Sequence, residues 1–193
     1  MSAASARPAG YYEDALWAYT DATSYAPGDT VTFFVSSPEP RVSCRIARVG
    51  AGESKVHEQA GIAATAQPIP AHAYRDGCDW RDSFTVAIGR DWPSGYYRVR
   101  LDAGERSAEH FFVVRSANPG AGARHVLVLA TNTYQAYNGW GGLSLYGNDA
   151  AFADSPDQLV HRPTPSPVVA WDRPWTRMAV RIPGSCQTGS QDP

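Results

Sequence analysis

Between Asn132 and Gly147 the chain reads NTYQAYNGWGGLSLYG, with Tyr134, Tyr137, Trp140 and Tyr146 set among four glycines. A phenolate is a hard oxygen ligand suited to a hard cation such as ferric iron, and the metal's charge would in turn lower the tyrosine pKa. Gly139, Gly141 and Gly142 would let the backbone fold tightly around such a centre. The same rings can form a stacking platform for a sugar or another planar ligand. They can also be plain packing with glycines at the turns, which is the reading spacing alone favours. Competing chemistry is scarce. His57, His72, His110, His125 and His161 are scattered, with no pair at metal-binding spacing. No Gly-x-Ser-x-Gly elbow occurs, and no Lys-Ser or Lys-Thr follows Gly139-Trp140-Gly141-Gly142 to make a phosphate loop. Asp154, Asp157 and Asp172 stand apart, as turn-forming aspartates do.

The elements that must position this stretch differ on its two sides. Directly before it, Val126 to Ala130 is the most continuously apolar run in the chain, and it predicts a strand buried on both faces, as in a parallel sheet. The Asn132–Gly147 stretch is then expected to be a loop leaving that strand. A helix is expected from Asp149 to Leu159 and extended chain from His161 to Trp175, where four prolines fall. One more strand is expected at Met178 to Ile182, followed by a disordered tail over 183–193. A parallel sheet needs further strands and crossover helices, so residues 124–182 read as an incomplete α/β segment.

Upstream, residues 11–116 have a period of two. Val31, Phe33 and Val35 alternate after the turn signal Pro27-Gly28-Asp29. Val42, Cys44 and Ile46, then Phe84, Val86 and Ile88, then Tyr97, Val99 and Leu101 do the same. Phe111 to Val114 is apolar on both faces and suits a well-buried last strand. Short β-rich runs bounded by Gly, Pro, Asp and Ser predict an antiparallel, immunoglobulin-like β-sandwich. Residues 117–123 read as a linker. The fold class is therefore mainly β, a sandwich followed by an incomplete α/β segment.

Composition narrows the function classes. A formal net charge of −2 gives no reason to expect nucleic acid or an anionic membrane as partner. No apolar run approaches the length of a membrane span, and MSAASARPAG lacks the apolar centre of a secretory signal, so a cytoplasmic location is expected. Three cysteines are too few for a disulfide scaffold. A Cys44–Cys78 bridge across the sandwich is conceivable, but a buried free thiol at Cys44 and an exposed one at Cys78 is the preferred reading. Cys186 is expected to be exposed.

The run Asn132 to Asn138, with Trp140-Gly141-Gly142 and Ser144-Leu145-Tyr146, resembles the signature of the N,N-dimethylformamidase large (beta) subunit family. Asp91 to Tyr97 and the aromatic-flanked Asp172-Arg173-Pro174 are also similar to it. The similarity is expected to run from Trp17 to Trp175 and to stop at Thr176, as in a truncated member. What the resemblance implies is an amide hydrolase acting on small formamides, with iron held by two tyrosines and a glutamate. Its catalytic unit would resemble the class I glutamine amidotransferases. Carried onto this chain, it implies Tyr137 and Tyr146 as metal ligands. It implies Asn132, Tyr137 and Asn138 as catalytic residues, and Tyr134 and Trp140 as substrate contacts. The second aromatic ligand would be sought beside Asp172-Arg173-Pro174, where Trp175 stands. No glutamate follows Glu109. The expectation is therefore an inactive or partial hydrolase, completed if at all in a homo- or hetero-oligomer. The rival reading is a non-enzymatic immunoglobulin-like module that binds a protein or carbohydrate through exposed aromatics.

Overall fold

A computed structural model describes residues 12–121, 125–146 and 165–175. Two facing sheets make an antiparallel sandwich of the immunoglobulin-like kind. The smaller sheet has the order β1 (Trp17–Thr20), β3 (Thr30–Ser36), β6 (Phe84–Ala87). The larger has the order β2 (Ser24–Tyr25), β8 (Arg106–Val114), β7 (Gly95–Ala103), β4 (Arg41–Val49), β5 (Glu53–Ala63). All pairings are antiparallel except β2 with β8.

Alternation explains which side chains face inward. Val31, Phe33 and Val35 of one sheet meet Cys44, Ile46, Tyr97, Val99 and Leu101 of the other in one apolar core. Cross-strand pairs fix the register: Phe33 lies opposite Phe84 with rings stacked 4.6 Å apart, and Tyr97 opposite Phe112 at 5.6 Å. Each side chain fully buried in this way contributes roughly 1.5–3 kcal/mol through removal of apolar surface from water. At the Pro27-Gly28 turn, Gly28 adopts φ +95° and its N–H reaches the Ile88 carbonyl, tying the corner to the end of β6.

Strand β8 is buried on both faces at Phe111 and Phe112, as its sequence predicts. Phe112 points into the sandwich core. Phe111, stacked on Tyr96 at 5.0 Å, points outward and is covered by Trp175. Strand β5 is longer than its neighbours' turn signals suggest. Among the described residues it pairs only with β4, and most of its residues, including Glu53, Lys55 and Glu58, face solvent.

The downstream segment corrects the sequence reading in two places. Residues 125–130 carry no strand pairing, and Val126, Leu127 and Val128 are 86%, 70% and 83% exposed. A strand can bury both faces only between neighbouring strands, and none flanks it among the described residues. The following stretch is not a loop throughout, since Thr131–Tyr137 forms a short helix, α2. Residues 165–175 are irregular, in keeping with their prolines. The helix expected at Asp149 to Leu159, the strand at Met178 to Ile182, the tail and Cys186 lie outside the described residues. Cys44 and Cys78 are unbridged, as preferred, yet Cys78 is buried beneath this segment and not exposed. Burial pushes both thiols up to about 12.

Candidate functional site

Helix α2 is too short to be stable on sequence alone, and no side chain caps its start. It is fixed from outside. Gln135 is buried and donates through its amide to the Ala170 carbonyl. Just past the helix, Asn138 is fully enclosed; its Nδ2 donates to the Pro174 carbonyl at 3.0 Å and its Oδ1 accepts from the Trp140 N–H at 3.2 Å. The chain then turns through Gly141 at φ +82° and Gly142 at φ +140°. A Cβ at Gly141 would lie 2.8 Å from the Tyr74 nitrogen, and one at Gly142 would lie 2.7 Å from the Tyr74 ring. These glycines are thus required by close approach to the one-turn helix α1 (Ala73–Asp76).

Trp140, expected as a substrate contact, is the plug of this turn. It is 1% exposed, with Tyr12, Trp17 and Trp80 packed around it at ring separations of 4.9, 5.7 and 5.8 Å.

Arg173 locks the two signature segments together. Its guanidinium is fully buried and donates to three main-chain carbonyls: Ala170 at 2.9 Å, Asn138 at 2.9 Å, and Trp140. The Asp172 carbonyl accepts from the Cys78 N–H at 2.8 Å, and the Tyr74 carbonyl accepts from the Ala170 N–H at 2.9 Å. The planar, five-donor head of arginine can span carbonyls from separate strands of chain in this way; lysine cannot. Sequence reasoning marked Asp172-Arg173-Pro174 only as the neighbourhood of an aromatic ligand. It missed Arg173 because nothing in the residue type distinguishes a buried arginine from a solvated one.

The tyrosines separate into two groups. Tyr137 and Tyr146 come together, with rings stacked 4.2 Å apart at 13°, and each is about half exposed. A main-chain bond from the Leu145 N–H to the Ala136 carbonyl, 3.0 Å, holds the two chain segments side by side. Tyr134 faces the other way, in contact with the outer face of the sandwich. Its ring lies 6.3 Å from Phe111 and 6.3 Å from Trp175. The segment in which a second aromatic ligand was expected therefore reaches Tyr134. Asn132 is exposed on α2.

As a donor set for iron, the stacked pair offers two phenol oxygens. No group of three His, Cys, Asp or Glu side chains able to hold a metal ion occurs among the described residues. Two phenols alone are an incomplete donor set for iron, and the glutamate that the resemblance implies would have to be added to them.

A second feature lies at the seam between sandwich and segment. A cavity of about 250 Å³ is lined by Tyr19 to Thr23, His110, Trp171, Asp172 and Trp175. The Thr20 hydroxyl donates to the Ala22 carbonyl at 2.7 Å, so its 2.9 Å contact with His110 Nε2 requires the imidazole to donate there. His110 is then the Nε2–H tautomer, and its Nδ1 is a buried acceptor with no partner among the described residues. Such an orphan costs about 1–3 kcal/mol. Burial pushes the His110 pKa down to about 4, so protonation does not relieve it near neutrality.

Comparison with known proteins agrees with the residues that carry the resemblance. A search of curated proteins finds no match. A family model described as N,N-dimethylformamidase beta subunit-like, C-terminal, matches residues 43–189. That match begins within β4, takes in the rest of the sandwich and the α2 turn, and continues past Thr176, where the similarity was expected to stop. The helix, the glycine turn and the Arg173 clasp all fall inside it, and the chain belongs to the N,N-dimethylformamidase beta subunit-like family.

Proposed function

We propose that this chain has the role of an N,N-dimethylformamidase-type amide hydrolase of small formamides, and that the residues of this sequence alone are inactive. The observation that carries the reading is the family match over residues 43–189. The stacked, half-exposed Tyr137–Tyr146 pair is the part of the site this chain would contribute. In this reading Tyr137 and Tyr146 would hold iron only together with a carboxylate from another subunit, and the metal would supply Lewis acidity toward the amide carbonyl. Asn132 and Tyr137 on α2 remain free to meet substrate, whereas Asn138 and Trp140 act from behind by fixing the turn.

The test has two parts. Iron-supplemented purified chain should retain well under one iron per chain and should not hydrolyse N,N-dimethylformamide. Stoichiometric iron with turnover would sink the claim that the chain alone is inactive. N,N-dimethylformamide titrated into labelled protein should shift the ring signals of Tyr137 and Tyr146 saturably, and a flat titration would remove the amide-site reading.

A second reading rests on one observation: Tyr137, Tyr146 and Trp171 are exposed aromatic side chains. As a non-enzymatic module the chain would use them to anchor a protein or carbohydrate.

A further inference from the structure

We propose that Tyr137 and Tyr146 are a site of oxidative modification, coupling to each other as an intramolecular dityrosine when the chain meets a one-electron oxidant. The coupling needs neither iron nor an amide, so it stands apart from the hydrolase reading although it falls on the same two side chains. Geometry selects the pair. The two rings are tilted by only 13°, with centroids 4.2 Å apart. Flat rings so placed hold carbons of their facing sides near van der Waals contact, roughly 3.5–4.0 Å. The bond from the Leu145 N–H to the Ala136 carbonyl, 3.0 Å, lies one residue before each tyrosine and keeps them in place. Access selects it as well. Tyr137 and Tyr146 are 50% and 51% exposed, so a dissolved oxidant reaches both. Tyr19, Tyr96 and Tyr97 are buried and stack on Phe34, Phe111 and Phe112, which cannot supply a second phenol. Burial also pushes these three phenols up, which disfavours the proton loss that accompanies oxidation.

In the coupling, each phenol gives one electron to the oxidant and its hydroxyl proton to water. Each becomes a phenoxyl radical with spin on the ring carbons beside the oxygen. One such carbon from each ring joins in a new Cε–Cε bond. The hydrogen on each joined carbon then moves as a proton, through water, to a phenol oxygen, which restores both hydroxyls and both aromatic rings. Two equivalents of oxidant are reduced, and the chain loses two hydrogen atoms. Partners held in place react at effective concentrations far above that of a dilute protein, so the bond forms within one chain and not between two. It closes the chain covalently from Tyr137 to Tyr146, around the glycine turn that carries Trp140.

The test is illumination of the purified chain with tris(bipyridine)ruthenium(II) and persulfate, which together generate a one-electron oxidant. Dityrosine fluorescence is expected in the monomer fraction, with an intact mass lower by two hydrogen atoms. The yield per chain should be unchanged on about tenfold dilution, as for a reaction within one molecule. Tandem mass spectrometry should place the link, because backbone breaks between Tyr137 and Tyr146 then release no separate fragments. Tyr146→Phe keeps a ring for the stack but has no phenol, and should lower the monomer's dityrosine fluorescence at least about fivefold. Its amide spectrum will verify the fold. Tyr134→Phe should leave the yield unchanged. No dityrosine in the monomer, a yield per chain that falls on dilution, or a link at other tyrosines would overturn the site. So would an undiminished yield in Tyr146→Phe or a lost one in Tyr134→Phe.

Discussion

The sandwich and the described part of the downstream chain, residues 125–146 and 165–175, are held by opposite means. In the sandwich, ladders align the strands and apolar side chains close on one another from two sheets. In the segment, buried polar side chains hold the main chain, and two aromatic anchors attach it to the sandwich. Arg173, Asn138 and Gln135 grip carbonyls there, while Trp140 and Trp175 fill the contacts. Among the described residues, the eight exposed large hydrophobics all belong to the segment, from Val126 to Trp171. A region that has its own core hides its aliphatics; one that is fastened to a neighbour's core need not. The segment is therefore a polar-braced attachment whose order depends on the sandwich, and not the reverse.

Breaking the sandwich should break both regions. Phe33→Ala removes a fully buried ring and should cost about 3–5 kcal/mol, measured by denaturant unfolding, with tryptophan signals of the segment lost in the same transition. If the segment's tryptophans kept their environment after the sandwich melted, the dependence would be the other way round.

Acid should loosen the seam. His110 is neutral when folded because burial lowers its pKa from 6.5 to about 4. The unfolded chain takes up a proton below pH 6.5 while the folded chain does not, so stability is flat above that value and falls as pH drops towards 4. The loss over this window is roughly 3 kcal/mol. Unfolding curves between pH 7 and 4 will show it, and the slope should flatten in His110→Phe.

Arg173→Lys sharpens the comparison from the other side. A single ammonium cannot reach the Asn138 and Trp140 carbonyls together, so about 1–3 kcal/mol should be lost from the segment. Hydrogen exchange should speed up at the amides of Tyr134, Asn138 and Leu145 and stay unchanged in β4 and β7. Tyr146→Phe, at the half-exposed stack, should change stability by less than about 0.5 kcal/mol. It should still blunt any N,N-dimethylformamide-induced shift at Tyr137.

How much of this was legible depends on which force shaped each element. Strands β3, β4, β6, β7 and the apolar end of β8 show in the sequence because one or both faces meet a core and the side chains record it. Strand β5 left no such record, since with most of Glu53 to Ala63 facing solvent there was no alternation to read. Strand β1 failed for the reverse reason: Ala18, Tyr19 and Thr20 are all buried, the sandwich on one face and the aromatic cluster on the other. Helix α2 was read as loop because its seven residues form no apolar stripe, and what orders them is contact with residues over thirty positions away. The run from Val126 to Ala130 misled in turn: hydrophobicity states what a segment needs, not what the chain provides. Of the four aromatics in the signature stretch, Tyr134 and Trp140 pack against the sandwich, whereas Tyr137 and Tyr146 stack on each other.

The two unbridged thiols give each region its own clock. Cys44 lies in the sandwich core and Cys78 under the segment beside Trp140, each held as an unreactive thiol by burial. An alkylating reagent can therefore attack either one only after its surroundings have opened. Pulse-labelling the intact protein and comparing modification at the two positions would time the release of the segment separately from the opening of the sheets.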